Sequence, residues 1–77
     1  LDHMVVVRNE DRPGMIGVVG TVLGDAGVNV ADMAVGHVGD GHSAIMVLST
    51  GGPVPTPVLD DLRRRPGIIS VRALDLA

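Results

Sequence analysis

Hydrophobic and polar positions follow two different periods along this chain, and the switches between them mark out six elements. Met4-Val5-Val6-Val7 follows the polar pair Asp2-His3 and reads as a β-rich first strand. The run breaks at Asn9-Glu10-Asp11-Arg12-Pro13-Gly14, after which Met15, Ile16, Val19, Val22, Leu23 and Ala26 recur at helical spacing. Pro13 suits the first helical position, Asp11 can accept a backbone hydrogen bond in the turn, and Gly27 is placed to end the helix in a left-handed conformation. Residues 28–38 then read as a strand with Ala31, Met33, Val35 and His37 on one face, and Gly39-Asp40-Gly41 supplies the turn of a hairpin. Residues 43–49 carry Ile45, Met46, Val47 and Leu48, a run apolar enough for a central strand, and Gly51-Gly52-Pro53 closes it.

A second helix is expected with Thr56 as its N-cap, Pro57 at its first helical position and a short apolar stripe of Val58, Leu59 and Leu62. Asp60 and Asp61 near its start and Arg63-Arg64-Arg65 near its end match the helix dipole. Pro66-Gly67 stops it, and residues 68–76 form a last strand. The order is βαββαβ. We therefore expect an α+β, ferredoxin-like domain: a four-stranded antiparallel sheet with both helices on one face. The uncovered face of such a sheet is a liability that a partner relieves.

Composition narrows the picture. A chain of 77 residues suffices for one small domain, and a hydrophobic content of 45% favours folding over disorder. The chain lacks Phe, Tyr and Trp, so its core rests on Val, Ile, Leu, Met and Ala, and self-association is expected on physical grounds. Net charge is −3, and all 6 basic residues are Arg. With no broad basic field and no aromatic platform for bases, nucleic acid is not an expected partner. No stretch approaches the ~18–20 apolar residues of a membrane span, so no membrane partner is expected either. The absence of Cys rules out thiolate metal sites and a Cys nucleophile and fits a reducing cytoplasm. The opening Leu1-Asp2-His3-Met4 leads us to expect a piece of a longer protein that ends at a natural C-terminus.

The candidate chemistry lies between Arg8 and Asp32. A strand that ends in a turn whose N–H groups open into a helix can hold a small carboxylate, and the polar breaks on either side of the helix can lie close together in space. Gly17, Gly20 and Gly24 inside the helix each cost about 1 kcal/mol relative to Ala. Close packing on the chain's own sheet, or on a partner or ligand, would offset this. Catalysis by the segment is not expected: Ser43, Ser49 and Ser70 have no evident triad partners. His37 and His42 flank the hairpin turn, where they could meet with Asp40 around a metal; a solvated pair is the simpler alternative, and no metal is assigned.

The runs Asn9-Glu10-Asp11-Arg12-Pro13-Gly14-Met15-Ile16-Gly17 and Gly27-Val28-Asn29-Val30-Ala31-Asp32-Met33, with Pro66-Gly67-Ile68 before a terminal strand, resemble the signature of an ACT domain over nearly the whole chain. Within that family, Val30-Ala31-Asp32-Met33-Ala34-Val35-Gly36 and Ala73-Leu74-Asp75-Leu76 look most like the C-terminal regulatory domain of bacterial D-3-phosphoglycerate dehydrogenases. The resemblance implies a single regulatory domain over residues 1–77, a parent NAD-dependent enzyme opening serine biosynthesis, no cofactor in this segment, and L-serine as the sensed ligand. It also implies edge-to-edge pairing of domains, with the amino acid at the seam. Carried over by position, the ligand residues become Asn9, Asp11 and Asn29, together with Pro13, Gly14, Met15 and Val30 around them. Asn29 matches the family pattern; Asn9 stands where a His, and Asp11 where an Asn, is typical. Asp11 adds a negative charge that favours an amino group and repels a carboxylate. Two bland alternatives accompany these assignments: Asp11 as a turn cap and Asn29 as a turn residue after Gly27. At the level of function, the alternatives are a dimerisation module without a ligand and a domain that senses another amino acid.

Overall fold

In the computed structural model, which describes residues 2–39 and 41–76, six elements follow in the expected order. They are β1 (His3–Glu10), α1 (Met15–Asp25), β2 (Val30–His37), β3 (Ser43–Thr50), α2 (Thr56–Arg64) and β4 (Ile68–Asp75). The sheet runs β2-β3-β1-β4, and all of its pairings are antiparallel. β3 is central, as its apolar run predicts, and β2 and β4 are the edges. The ferredoxin-like βαββαβ architecture read from the sequence is the architecture observed.

Strand period explains which face is buried. Val5, Val7 and Asn9 of β1 are buried, while Met4, Val6 and Arg8 between them are only partly so. The register sets Val5 against Leu48, Val7 against Met46 and Asn9 against Ala44, all on the face beneath the helices. Met15, Val19, Val22 and Leu23 from α1 and Leu59 and Leu62 from α2 close over them, with Val71 of β4, in one apolar cluster. Leu23, Leu48 and Leu62 are fully buried, each contributing about 1.5–3 kcal/mol.

Several local expectations are corrected. The second helix is preceded by Pro55, with Thr56 already inside it and no side-chain cap, so the Pro residues rather than a hydroxyl set its start. Asp60 and Asp61 lie beyond its first turn and pair along the helix with Arg63, Arg64 and Arg65. Pro13 precedes Gly14, the left-handed residue that opens α1 (φ 89°), so it sits in the turn and not at the first helical position. Gly27 does take the left-handed conformation after α1, as expected (φ 75°).

β2 starts at Val30, with an irregularity between Val30 and Asp32 that leaves Ala31 out of the alternation. Met33, Val35 and His37 keep the helix-side face, opposite Leu48, Met46 and Ala44. Packing on the chain's own sheet does not explain the α1 glycines. All three are exposed, and a Cβ at Gly17, Gly20 or Gly24 would meet nothing within 4 Å. Asp40, which the sequence places in the hairpin turn, lies outside the described residues.

Candidate functional site

The turn from β1 into α1 is built around backbone bonds at both of its ends. Glu10 N–H donates to the Gly67 carbonyl at 2.8 Å and Asp11 N–H to the His42 carbonyl at 3.0 Å, which fastens the turn to the start of β4 and to the β2–β3 connection. Gly67 itself is left-handed (φ 89°), and the guanidinium of Arg12 lies against it so closely that a Cβ there would be 2.6 Å from Nη2. Arg12 also reaches Glu10 (3.4 Å) and the sulfur of Met15 (3.5 Å).

Beneath this turn lies a cavity of about 220 Å³, smaller than the ~300–1,000 Å³ of drug-sized ligand sites and suited to a small molecule. Asn9, Asp11, Pro13, Gly14 and Met15 line it, joined by Arg12, Ile16, Gly17, Val35, His37, Ala44 and Met46. Five of the residues carried over from the sequence pattern therefore meet around one opening. Asn9 is not a turn residue as expected; it closes the buried face of β1, only 3% exposed, because its register position faces the helices. Its Nδ2 donates to the Glu10 carbonyl at 2.8 Å, which leaves Oδ1 buried and without a hydrogen-bond partner. Such an acceptor costs about 1–3 kcal/mol.

The same opening faces the start of α1. No side chain caps that helix and no acidic residue stands in its first turn, so its N–H groups and the positive end of its dipole are uncompensated. Asp11 does not cap the turn: its Oδ2 lies 3.0 Å from Nδ1 of His37, the last residue of β2. The cavity thus combines an unpaired acceptor, a carboxylate, a guanidinium and a helix N-terminus. That set is complementary to a small zwitterion, with ammonium on the oxygens and carboxylate on the N–H groups. His37 carries no local signal as a lining residue, since its part in the site depends on strand register.

Asn29 and Val30 are not part of this cavity within one chain. They sit at the opposite end of the sheet, where Val30 pairs with Thr50 and Gly51 N–H donates to the Asn29 carbonyl at 2.9 Å. Seven strand steps of about 3.3 Å along β2 separate the two ends, which corrects the expectation that both polar breaks meet in a single copy. Asn29 is exposed and lines a separate, shallower opening with Gly27, Gly51 and Pro53.

The charged run at the end of α2 is paired within the chain. Arg63 is held by Asp60 (2.9 Å) and by the Val71 carbonyl (2.7 Å), and Arg65 by Asp61 (3.1 Å). The Arg65 hydrogen bond, aided by the charges of Arg65 and Arg64 against slight desolvation, holds the Asp61 carboxyl below its ordinary range. Among the described residues no group of three or more His, Cys, Asp or Glu is placed to hold a metal. His37, moreover, faces Asp11 and not a partner across the hairpin. No helix among the described residues is long and apolar enough to cross a membrane.

Comparison with known proteins gives the family and the fold. The family model of the ACT domain matches residues 3–67. A D-3-phosphoglycerate dehydrogenase of Bacillus subtilis (strain 168) is 39% identical over 74 residues, covering 96% of this chain and 14% of that protein. The enzyme of the same name from Archaeoglobus fulgidus is 40% identical over 77 residues, again 96% of this chain and 14% of the relative. The chain therefore spans about a seventh of the length of these relatives. Among solved structures, the ACT domain from GTP pyrophosphokinase of Chlorobium tepidum superposes with a TM-score of 0.63 at 19% identity, over 94% of this chain and 95% of that one. A protein from Galdieria sulphuraria of unknown function superposes with a TM-score of 0.73 at 21% identity, over 97% of this chain and 44% of that one. At these identities the structures share the fold.

Proposed function

This chain belongs to the ACT domain family, and from that premise we propose that it is an amino-acid-sensing regulatory domain whose ligand is L-serine. Its relatives suggest a parent chain that is a D-3-phosphoglycerate dehydrogenase; NAD as its cofactor follows from the sequence resemblance, and a cytoplasmic setting fits the absence of Cys. The observation that carries the reading is the buried, unpartnered Oδ1 of Asn9 at the cavity under the first turn. An acceptor that costs stability in the free chain is offset once a ligand donates to it. The ammonium of serine reaches that oxygen and Asp11, its carboxylate meets the N–H groups at the start of α1, and the small volume excludes bulky side chains.

Asn29 enters from a second copy. β2 is an exposed edge strand whose sequence, Val30 to His37, holds one charged residue, Asp32, and neither Pro nor Lys to discourage pairing. An antiparallel pairing of two such edges, centred on Met33, keeps both helix layers on one face and sets Asn29 of one copy against His37 of the other. The second copy's Asn29 then lies beside the cavity of the first. Pairing also covers Val35, which is 49% exposed on the monomer. Regulation follows by linkage: serine biases the parent enzyme only by its differential affinity for two arrangements of paired domains, typically ~1–3 kcal/mol of coupling.

Thermal unfolding of the chain followed by circular dichroism, with and without 10 mM L-serine, glycine or L-alanine, tests the reading. A midpoint raised by serine above the other two supports it. If no amino acid moves the midpoint of a dimeric sample, the sensor reading fails and a pure assembly module takes its place. Asn29→Ala separates the halves of the site: the unliganded midpoint stays put, because the residue is exposed, while the serine response shrinks.

A further inference from the structure

Three titratable residues line the cavity, Asp11, Arg12 and His37, and two of them, Asp11 and His37, are engaged with each other. Nδ1 of His37 stands 3.0 Å from Oδ2 of Asp11, and the side chains are 78% and 43% exposed. One comes from the end of the free edge strand and the other from the turn into α1, so the contact bridges two elements across the cavity mouth. An ion pair this exposed is weak enough for another cation to exchange with it.

We propose that His37 is a built-in competitor for the ammonium group of any ligand entering this cavity, and so a specificity-determining residue. This rests on the reading that the cavity takes an amino acid. When His37 is protonated its imidazolium occupies Asp11, and an incoming ammonium meets a like charge. When it is neutral, the carboxylate is free to accept the ammonium. Histidine changes charge between pH 5 and 8, where a carboxylate stays ionised and the ammonium of a free amino acid stays protonated. Affinity for an amino acid therefore rises with pH across that interval. A ligand of the same size with a hydroxyl in place of the ammonium gains nothing.

The other charged groups around Asp11 are Glu10 and Arg12 on its own turn, which pair with each other at 3.4 Å, and His42, whose carbonyl takes the Asp11 N–H. The first turn of α1 brings no acidic residue. His42 is the natural control.

Calorimetric titration of the chain with L-serine, glycine, L-alanine and glycerate at pH 5.5, 6.5 and 7.5 tests the proposal. Wild type, His37→Gln and His42→Gln are compared; both substitutions are at exposed positions and leave the fold intact. Serine affinity of the wild type is expected to rise about threefold to tenfold from pH 5.5 to 7.5. His37→Gln shows a flat profile at the high-pH level, His42→Gln retains the slope, and glycerate does not tighten. Serine binding with an unchanged slope in His37→Gln, or wild-type binding that tightens as pH falls, overturns the proposal alone. No binding of any of the three amino acids at any pH overturns the amino-acid reading, and this proposal with it.

Discussion

Replacing Asn9 with Leu should make the chain more stable and unable to respond to its ligand. The side chain lies on the buried face of β1 opposite Ala44, with its amide nitrogen on the Glu10 carbonyl and its amide oxygen on nothing. Loss of the Nδ2 bond costs about 1 kcal/mol, and the Glu10 carbonyl keeps a second donor, the Arg12 N–H at 2.9 Å. Removal of the unpaired oxygen returns about 2 kcal/mol. Leucine is close in shape and adds apolar burial, limited by the fit against Met15 and Met46. The net is a stabilisation of roughly 1–2 kcal/mol, which in a chain of this size raises the midpoint by roughly 4–16 °C. The assay is thermal and urea unfolding followed by circular dichroism, since the chain has no Trp or Tyr, repeated with 10 mM L-serine. Serine should leave the variant's midpoint unmoved. A variant destabilised by 1 kcal/mol or more would refute the reasoning, because Asn9 would then be a satisfied core residue and not a ligand contact held at a cost.

Three further substitutions probe separate features. Gly67→Ala forces a left-handed φ of 89° on a residue with a Cβ and drives that atom to 2.6 Å from Arg12 and 2.8 Å from Met15; a loss of about 1–3 kcal/mol is expected in urea unfolding. Gly20→Ala meets nothing within 4 Å on an exposed helix face, so the chain should gain about 0.5–1 kcal/mol; a loss of stability or a change of assembly in sedimentation would mean that a partner covers this face. Asp61 has a folded pKa below its ordinary value through Arg65, so its contribution is complete above the unfolded pKa and fades as pH falls through the folded one. Asp61→Asn should therefore lower the midpoint slightly at pH 7, where the pairing is fully present, and the two midpoint-versus-pH curves should converge as pH falls below about 4.

Much of this fold can be read from the chain because local signals agree with one another. The period switches at Gly14 and Gly27, the apolar run through Leu48 and the Pro residues around Thr56 each place an element to within a residue or two. The site was harder for a reason that lies in topology. An 11-residue helix, at about 1.5 Å per residue, carries the chain back along the sheet, so the start of β2 lies at the end remote from the close of β1. Asn9 and Asn29 are thereby kept apart although the sequence suggests one cluster. Asn9 reads as a turn residue by its polarity, whereas its burial follows from the alternation that begins at Val5. His37 has no local signal at all; its contact with Asp11 spans 26 residues. The α1 glycines look like close-packing residues, yet their backbone faces solvent.

Asn9 and Asn29 lie at opposite ends of the sheet. If the proposed site is right, a single copy carries two unlike halves, and a ligand that needs both is bound only where two chains meet. Occupancy then depends on the amount of protein as well as on the amount of ligand. On dilution the apparent affinity falls, and added ligand draws chains together, because the ligand and the second chain are linked through the same edge. Such a domain would register its own abundance and its ligand's in one signal.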